Sequence, residues 1–245
     1  MKIWNHKNFI INEYEKIPST NDLAFELASN NQINHNQVIL AHSQENGHGR
    51  YGRNWQSQEG NLYFSLMLRI DQKIKDPSLL SFVSAVVLSK TIDDGNLKIS
   101  HKWPNDILID EKKVAGILLK TSNQNNRTDF VIIGIGLNVN NHPENTIFEA
   151  TNLKFQNFKQ LEISEILKNF LDNFSDSYEE FLQFGFTPIR NLWLKKAFKL
   201  NKSITANLEN QKVTGIFKDL NNDGNLILKD QNNHTKIISS GEIFN

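Results

Sequence analysis

Residues 130–139, FVIIGIGLNV, constrain the fold more than any other segment, because this run of apolar residues and glycines contains one polar side chain, Asn138. A strand with both faces buried belongs in the interior of a covered sheet, so this run reads as a central strand. FIINEYEKI at 9–17, QVILAH at 37–42 and NLYFSLMLR at 61–69 read as further strands. Segments 98–103, 106–109 and 113–122 suggest a strand followed by a hairpin that turns at Asp110-Glu111-Lys112. Pro18 ends the first strand, and Ser19 or Thr20 caps a helix running to about Ser29. LLSFVSAVVLSKTI at 79–92 lacks strict alternation and reads as a buried helix. Ile163, Ile166, Leu167, Phe170, Leu171, Phe174, Tyr178, Phe181 and Leu182 recur at three- and four-residue steps, the mark of a long amphipathic helix.

From residue 197 onward only short β-like pieces appear (SITANL, QKVTGIFKDL, GNLILKD, HTKIISS), and Asn222-Asp223-Gly224-Asn225 carries a hairpin signal. The asparagine pairs at 30–31, 125–126 and 232–233 read as turn tips. The expected class is α+β: a mixed sheet flanked by helices over residues 1–196, then a small β-barrel-like domain over 197–245. The 27 basic and 27 acidic side chains cancel, which argues against a general nucleic-acid footprint. With no cysteine there is no disulfide framework or thiolate metal site. No apolar run approaches the roughly 20 residues of a membrane span, and the chain opens without an apolar leader. The expected location is the cytoplasm, with no membrane partner.

Four constellations carry chemistry. In Gly47-His48-Gly49-Arg50-Tyr51-Gly52-Arg53-Asn54-Trp55, glycines let backbone N–H groups approach an anion, and two guanidinium forks suit phosphate or carboxylate. Two of the five arginines fall in this loop, against the plain alternative of a solvated surface loop. In Lys102-Trp103-Pro104-Asn105-Asp106, followed by Lys113 and Gly116, a strand–turn–strand path brings two ammonium groups to one pocket. There they would stabilise triphosphate charge, while Asp106 would bind Mg²⁺ or orient an attacking amine. The alternative is a Pro-containing turn with exposed lysines. Ser19-Thr20-Asn21 is by itself an ordinary cap cluster. Gly134-Ile135-Gly136-Leu137-Asn138 lacks the third glycine of a dinucleotide fingerprint; its glycines would let a ligand or helix approach closely.

In order and separation, STN at 19–21, Gln44, the Gly/Arg loop, KWPND, KVAGI at 113–117 and GIGLN resemble the catalytic domain of biotin–protein ligases. The match spans most of residues 1–140. The resemblance implies the mixed-sheet fold shared with class II aminoacyl-tRNA synthetases and lipoate ligases, with an SH3-like C-terminal barrel. It also implies a two-step reaction: biotin and Mg·ATP give biotinyl-adenylate, and a lysine of a biotin carboxyl carrier domain then takes the biotinyl group. ATP and Mg²⁺ enter as co-substrate and biotin as substrate, with no permanently bound cofactor or resident metal.

Residue by residue, the resemblance assigns Ser19, Thr20, Asn21, Gln44, Gly47, Arg50, Lys113 and Gly116 to biotin. Arg53, Trp55, Lys102, Asn105 and Asn138 go to the nucleotide, and Arg50, Lys113 and Asp106 to catalysis. The family loop commonly reads GRGRRGR, so His48 and Tyr51 make this one less basic. Because the chain enters the catalytic motifs almost immediately, the helix-turn-helix domain of some family members, and repression through it, are not expected. Family members occur as monomers and as homodimers. The nearest rival is a lipoate ligase or octanoyl transferase of the same fold; a stacking nucleic-acid module is more distant.

Overall fold

The structure, a computed structural model, describes residues 1–30, 32, 36–70, 74–124, 127–144, 146, 148–209 and 211–244, and for 122–124 and 127–129 the backbone alone. Asn31, His35, Asn125 and Asn126 lie outside the described residues. The first part runs β1 (Lys2–His6), β2 (Phe9–Ile17), α1 (Thr20–Ser29), β3 (Gln37–Gln44), β4 (Leu62–Arg69) and α2 (Leu80–Thr91). It continues through β5 (Ile99–Lys102), β6 (Asp106–Ile109), β7 (Lys112–Gln124), β8 (Arg127–Leu137), α3 (Ile163–Phe184) and α4 (Phe186–Lys195). The eight strands form one sheet in the order β1-β2-β3-β4-β8-β7-β6-β5. Only β2 and β3 pair in parallel, joined across α1; the other neighbours are antiparallel.

The apolar run at 130–139 lies inside this sheet, as its composition requires. Alternate residues Val131, Ile133, Ile135 and Leu137 join Leu62, Phe64, Leu66 and Leu68 in the main core, under α2 and α3. Phe64 meets Phe170 of α3 edge to face, with ring centres 5.1 Å apart. α2 lies between the sheet and α3 and is buried nearly all round, which is why its sequence shows no polar stripe. On the opposite face Phe130, Ile132, Met67 and Ile39 pack under Ala24 and Ala28 of α1. Past this apolar patch that face continues at Gly134 and Gly136, where only Asn21 and Trp55 lie on the sheet.

Two of these elements are missed by the sequence reading. β1 is a mostly exposed edge strand held by its backbone ladder to β2, so it shows no hydrophobic alternation. α4 buries only Phe186, Ile189 and Trp193, too few for a periodic signal. The turn at Asp110 and Glu111 is as expected, with both residues at positive φ (48° and 64°), the twist a two-residue hairpin needs.

The remaining strands are β9 (Ser203–Asn207), β10 (Lys212–Leu220), β11 (Leu226–Lys229), β12 (Thr235–Ile238) and β13 (Glu242–Phe244). They form an antiparallel sheet ordered β12-β11-β10-β9-β13, and among the described residues no pairing joins β12 to β13. The five antiparallel strands are consistent with the small SH3-like β domain expected there. Asn233 has φ 62° at the turn before β12, as a turn-tip asparagine does. Phe217, Leu220, Leu226 and Leu228 merge with the main core, Trp103 donates to the Gly224 carbonyl at 3.0 Å, and Arg190 donates to Leu220 O at 2.6 Å. These contacts fix the small sheet against the KWPND turn. No described helix is long and apolar enough to cross a membrane.

His101 lies inside this junction. Its Nδ1–H donates to Trp193 O at 3.0 Å, and its Nε2 lies 2.7 Å from Ser89 Oγ, whose hydroxyl donates to it. Burial lowers its pKa from 6.5 to about 4, so the folded state holds the neutral ring. The unfolded chain takes up a proton first as pH falls. Stability from this group is therefore complete above pH 6.5 and lost as pH drops toward 4, by about 3 kcal/mol in all. Urea titrations should show the His101→Gln variant losing less stability than the parent across that window; parallel pH curves would contradict this.

Candidate active site

The glycine-bearing face of the sheet becomes the floor of a cavity of about 380 Å³, within the range that accepts small ligands. Strand register builds the floor. Asp106, Gly116, Gly136 and Tyr63 pair across β6, β7, β8 and β4, and Leu118, Gly134 and Ser65 form the next row. The glycines let two side chains lie directly on the sheet. A Cβ at Gly134 would stand 2.2 Å from Asn21 Nδ2, and one at Gly136 would stand 2.5 Å from the Trp55 ring. Both side chains keep a buried polar atom without a hydrogen-bond partner in the structure, Asn21 Oδ1 and Trp55 Nε1. Each such atom costs about 1–3 kcal/mol unless a ligand satisfies it.

One end of the cavity is polar and uncharged. Ser19 caps α1, its Oγ accepting from Asp22 N at 3.3 Å. Thr20 N donates to Gln44 Oε1 at 2.8 Å, and Gln44 Nε2 donates to Ser57 Oγ at 2.8 Å. Ser65 Oγ donates to Thr20 Oγ1 at 2.9 Å, while Asn21 Nδ2 reaches Leu118 O at 3.2 Å. Four elements thus hold Ser19, Thr20, Asn21 and Gln44 at one wall. A cap cluster alone would not require that arrangement.

The other end is charged. Lys113 Nζ and Asp106 Oδ1 pair at 2.7 Å, and the same ammonium lies 5.3 Å from the Trp55 ring centre. The Gly/Arg loop folds back as a tight hairpin through Trp55 N to Gly47 O (2.8 Å) and Gly49 N to Arg53 O (2.7 Å). At its tip Tyr51 has φ 58°, an unusual angle for an aromatic residue. Arg50 lies over the Tyr51 ring at 5.0 Å, donates to Tyr51 Oη at 3.1 Å and reaches Gly241 O at 3.1 Å. Arg53 pairs with Glu242, so strand β13 meets the loop on the cavity rim.

Most of the expected site residues line this one cavity: Ser19, Thr20, Asn21, Gln44, Arg50, Arg53, Trp55, Asn105, Asp106, Lys113, Gly116 and Asn138. Two do not. Gly47 sits behind the wall, where a Cβ would lie 2.4 Å from Ser57 Oγ, so its smallness lets the Gln44–Ser57 bond form. Lys102 faces an adjoining cavity. Asn105 and Asn138 also hold the strands: Asn105 Nδ2 donates to Ile117 O at 2.7 Å, and Asn138 Nδ2 to Thr151 O at 3.0 Å. Phe148 and Glu242 line the cavity without having been expected, since a lone aromatic and a lone acid in polar surroundings carry no sequence pattern. The Lys113 pairing occupies Asp106, and among the described residues no group of three or more His, Asp or Glu side chains forms a metal cage.

Residues 14–138 match the biotin/lipoate A/B protein ligase family, and residues 199–244 match the biotin protein ligase C terminal domain. The chain belongs to the biotin protein ligase family. The bifunctional ligase/repressor BirA of Bacillus subtilis is 33% identical to it over 233 residues, covering 93% of this chain and 71% of that protein. The biotin–[acetyl-CoA-carboxylase] ligase of Paracoccus denitrificans is 31% identical, covering 92% and 96%. Among solved structures, the biotin protein ligase of Aquifex aeolicus in complex with biotin and ATP superposes with a TM-score of 0.83 at 29% identity, covering 96% of this chain and 97% of that one. Within the family, this ligase has His48 in a loop that commonly carries arginine. His48 Nδ1 lies 3.6 Å from Asp22 of α1.

Proposed function

We propose that this protein is an ATP-dependent ligase that forms biotinyl-5'-AMP and transfers the biotinyl group to a lysine of a biotin carboxyl carrier domain. One observation carries the reading: a single glycine-floored cavity has an uncharged hydrogen-bonding wall at one end and Lys113, Asp106 and the arginine loop at the other. That division matches a substrate with a neutral polar head and a carboxylate tail. Ser19, Thr20, Asn21 and Gln44 take the ureido head, where an unpaired buried polar group would penalise a ligand lacking it. Lys113 and Arg50 face the carboxylate and the α-phosphate, where charge develops in the first step. Arg53, Trp55, Asn105 and Asn138 lie on the nucleotide side, and Mg²⁺ enters on the ATP phosphates. Residues 1–196 form the catalytic domain, and 197–245 form a smaller domain whose strand β13 steadies the arginine loop. The cytoplasm is the expected place of action.

The test is direct. Purified protein with ATP, Mg²⁺, biotin and a carrier domain should yield a carrier that binds streptavidin, and lipoate in place of biotin should give no lipoylated carrier. Lipoylation without biotinylation would overturn the proposal.

A further inference from the structure

Behind the wall made by Asp106, Lys113 and Phe148 lies a second cavity of about 440 Å³. These three residues line both cavities, so one layer of side chains separates them. Lys102 belongs to the second cavity only, paired in register with Asp106 across β5 and β6. Its ammonium lies 3.3 Å from the Phe148 ring centre and 5.8 Å from that of Phe244, and the two rings are 4.9 Å apart. Phe198 adds a third ring to the lining; the exposed residues Asp110 and Glu111 bring carboxylates to it, and Glu149 does so paired with Lys112 at 3.0 Å. Aromatic walls with acids at the edge suit a long apolar stem that ends in a cation, the shape of a lysine side chain.

We propose that this second cavity admits the acceptor lysine of the carrier protein, and that Lys102 removes a proton from the incoming ammonium before it attacks the acyl-adenylate. The inference rests on the ligase reading and concerns its second step. The acceptor R–NH₃⁺ passes one proton to the neutral Lys102 amine. The freed nitrogen forms a C–N bond at the acyl carbon, and the acyl C–O bond to phosphate breaks. AMP leaves with that electron pair, and the second nitrogen proton goes to the departing phosphate. The Lys102 proton returns to solvent between turnovers.

The surroundings of Lys102 fit this role. Burial lowers its pKa from 10.5 to about 8, against an upward pull from Asp106 and Glu242 and with a further downward push from Lys113 and Arg53. A base near the working pH exchanges protons best, whereas an ordinary lysine keeps its proton there. The same placement argues against direct contact between Lys102 and nucleotide in the first cavity.

Two half-reactions separate the possibilities. Lys102→Arg keeps a cation beside Phe148 but cannot accept a proton. Biotin-dependent ATP–pyrophosphate exchange should stay within about twofold of the parent, while single-turnover transfer from preformed biotinyl-adenylate to the carrier domain falls by about 100-fold or more. The parent's rise in transfer rate toward pH 8 should vanish with it. Hydroxylamine is uncharged at neutral pH and needs no base, so it should take the biotinyl group equally fast from both proteins. Parent-like transfer by Lys102→Arg would overturn the proposal. So would exchange falling in parallel with transfer, or hydroxylamine slowing as much as the carrier. If Lys102→Arg does not melt cooperatively, Lys102→Gln is put through the same measurements with the same expectations. A parent protein that neither exchanges nor transfers would sink the ligase reading itself; normal parent activity with an unaffected variant sinks this inference alone.

Discussion

Gly134→Ala is expected to weaken biotin binding by about 100-fold while leaving a cooperatively folded protein. The added methyl would stand 2.2 Å from Asn21 Nδ2, a distance no real contact tolerates. The backbone at Gly134 is in an ordinary strand, so alanine adds no φ strain; its methyl would also lie 3.3 Å from Leu118 O, and the side chain above has to move. Moving Asn21 breaks its bond to Leu118 O and redirects the buried Oδ1. Asn21 also sits between Thr20, which is tied to Gln44 and Ser65, and Asp22, whose N–H bonds the Ser19 cap. Losing two hydrogen bonds from a buried polar wall, at about 1–1.5 kcal/mol each, gives the stated factor. Isothermal titration of biotin into each protein measures it. If Gly134→Ala binds biotin like the parent, Asn21 does not read the ligand.

That cavity floor shows what the sequence makes legible. The 130–139 run announces a strand buried on both faces, but one of its faces is buried by helix only as far as Ile132. Gly134 and Gly136 mark the point where the apolar cover of α1 gives way to Asn21 and Trp55 and a ligand cavity begins. Their spacing of two already placed them on the same face, and the reading that something approaches closely there was correct in kind. What no spacing shows is the partner: that Asn21, more than a hundred residues earlier, lies on Gly134, and Trp55 on Gly136. The KWPND segment divides in the same way. The hairpin argument draws Lys102 and Lys113 to one pocket, and both line the second cavity, while Lys113 alone of the two also lines the main one. Lys102 faces only the second cavity because Phe148, from a segment without pattern, lies between it and the first. Contacts made by single residues from distant loops, such as Glu242 on Arg53, are set by tertiary packing and leave no periodic trace in sequence.

Lys113→Gln is expected to lower the rate of biotin-dependent ATP–pyrophosphate exchange by about 100- to 1,000-fold, the usual loss when a fixed group that stabilises developing charge is removed. Among the described residues Lys113 offers the one lysine ammonium that lines the main cavity, and three features hold it there. Asp106 pairs with it at 2.7 Å, Trp55 flanks it at 5.3 Å, and its backbone N–H donates to Glu149 O at 2.7 Å. A group held this firmly needs little reorganisation when charge builds on the α-phosphate, and that is where preorganised electrostatics acts. Glutamine keeps the length and polarity but removes the charge, leaving Asp106 an unopposed carboxylate beside an anionic substrate. The double variant Lys113→Gln, Asp106→Asn separates these two effects. If repulsion from Asp106 dominates, the double variant recovers most of the exchange rate. If the missing ammonium dominates, as argued here, it recovers less than about tenfold. Exchange by Lys113→Gln within about tenfold of the parent would remove Lys113 from the chemistry, and leave the arginine loop alone to carry the first step.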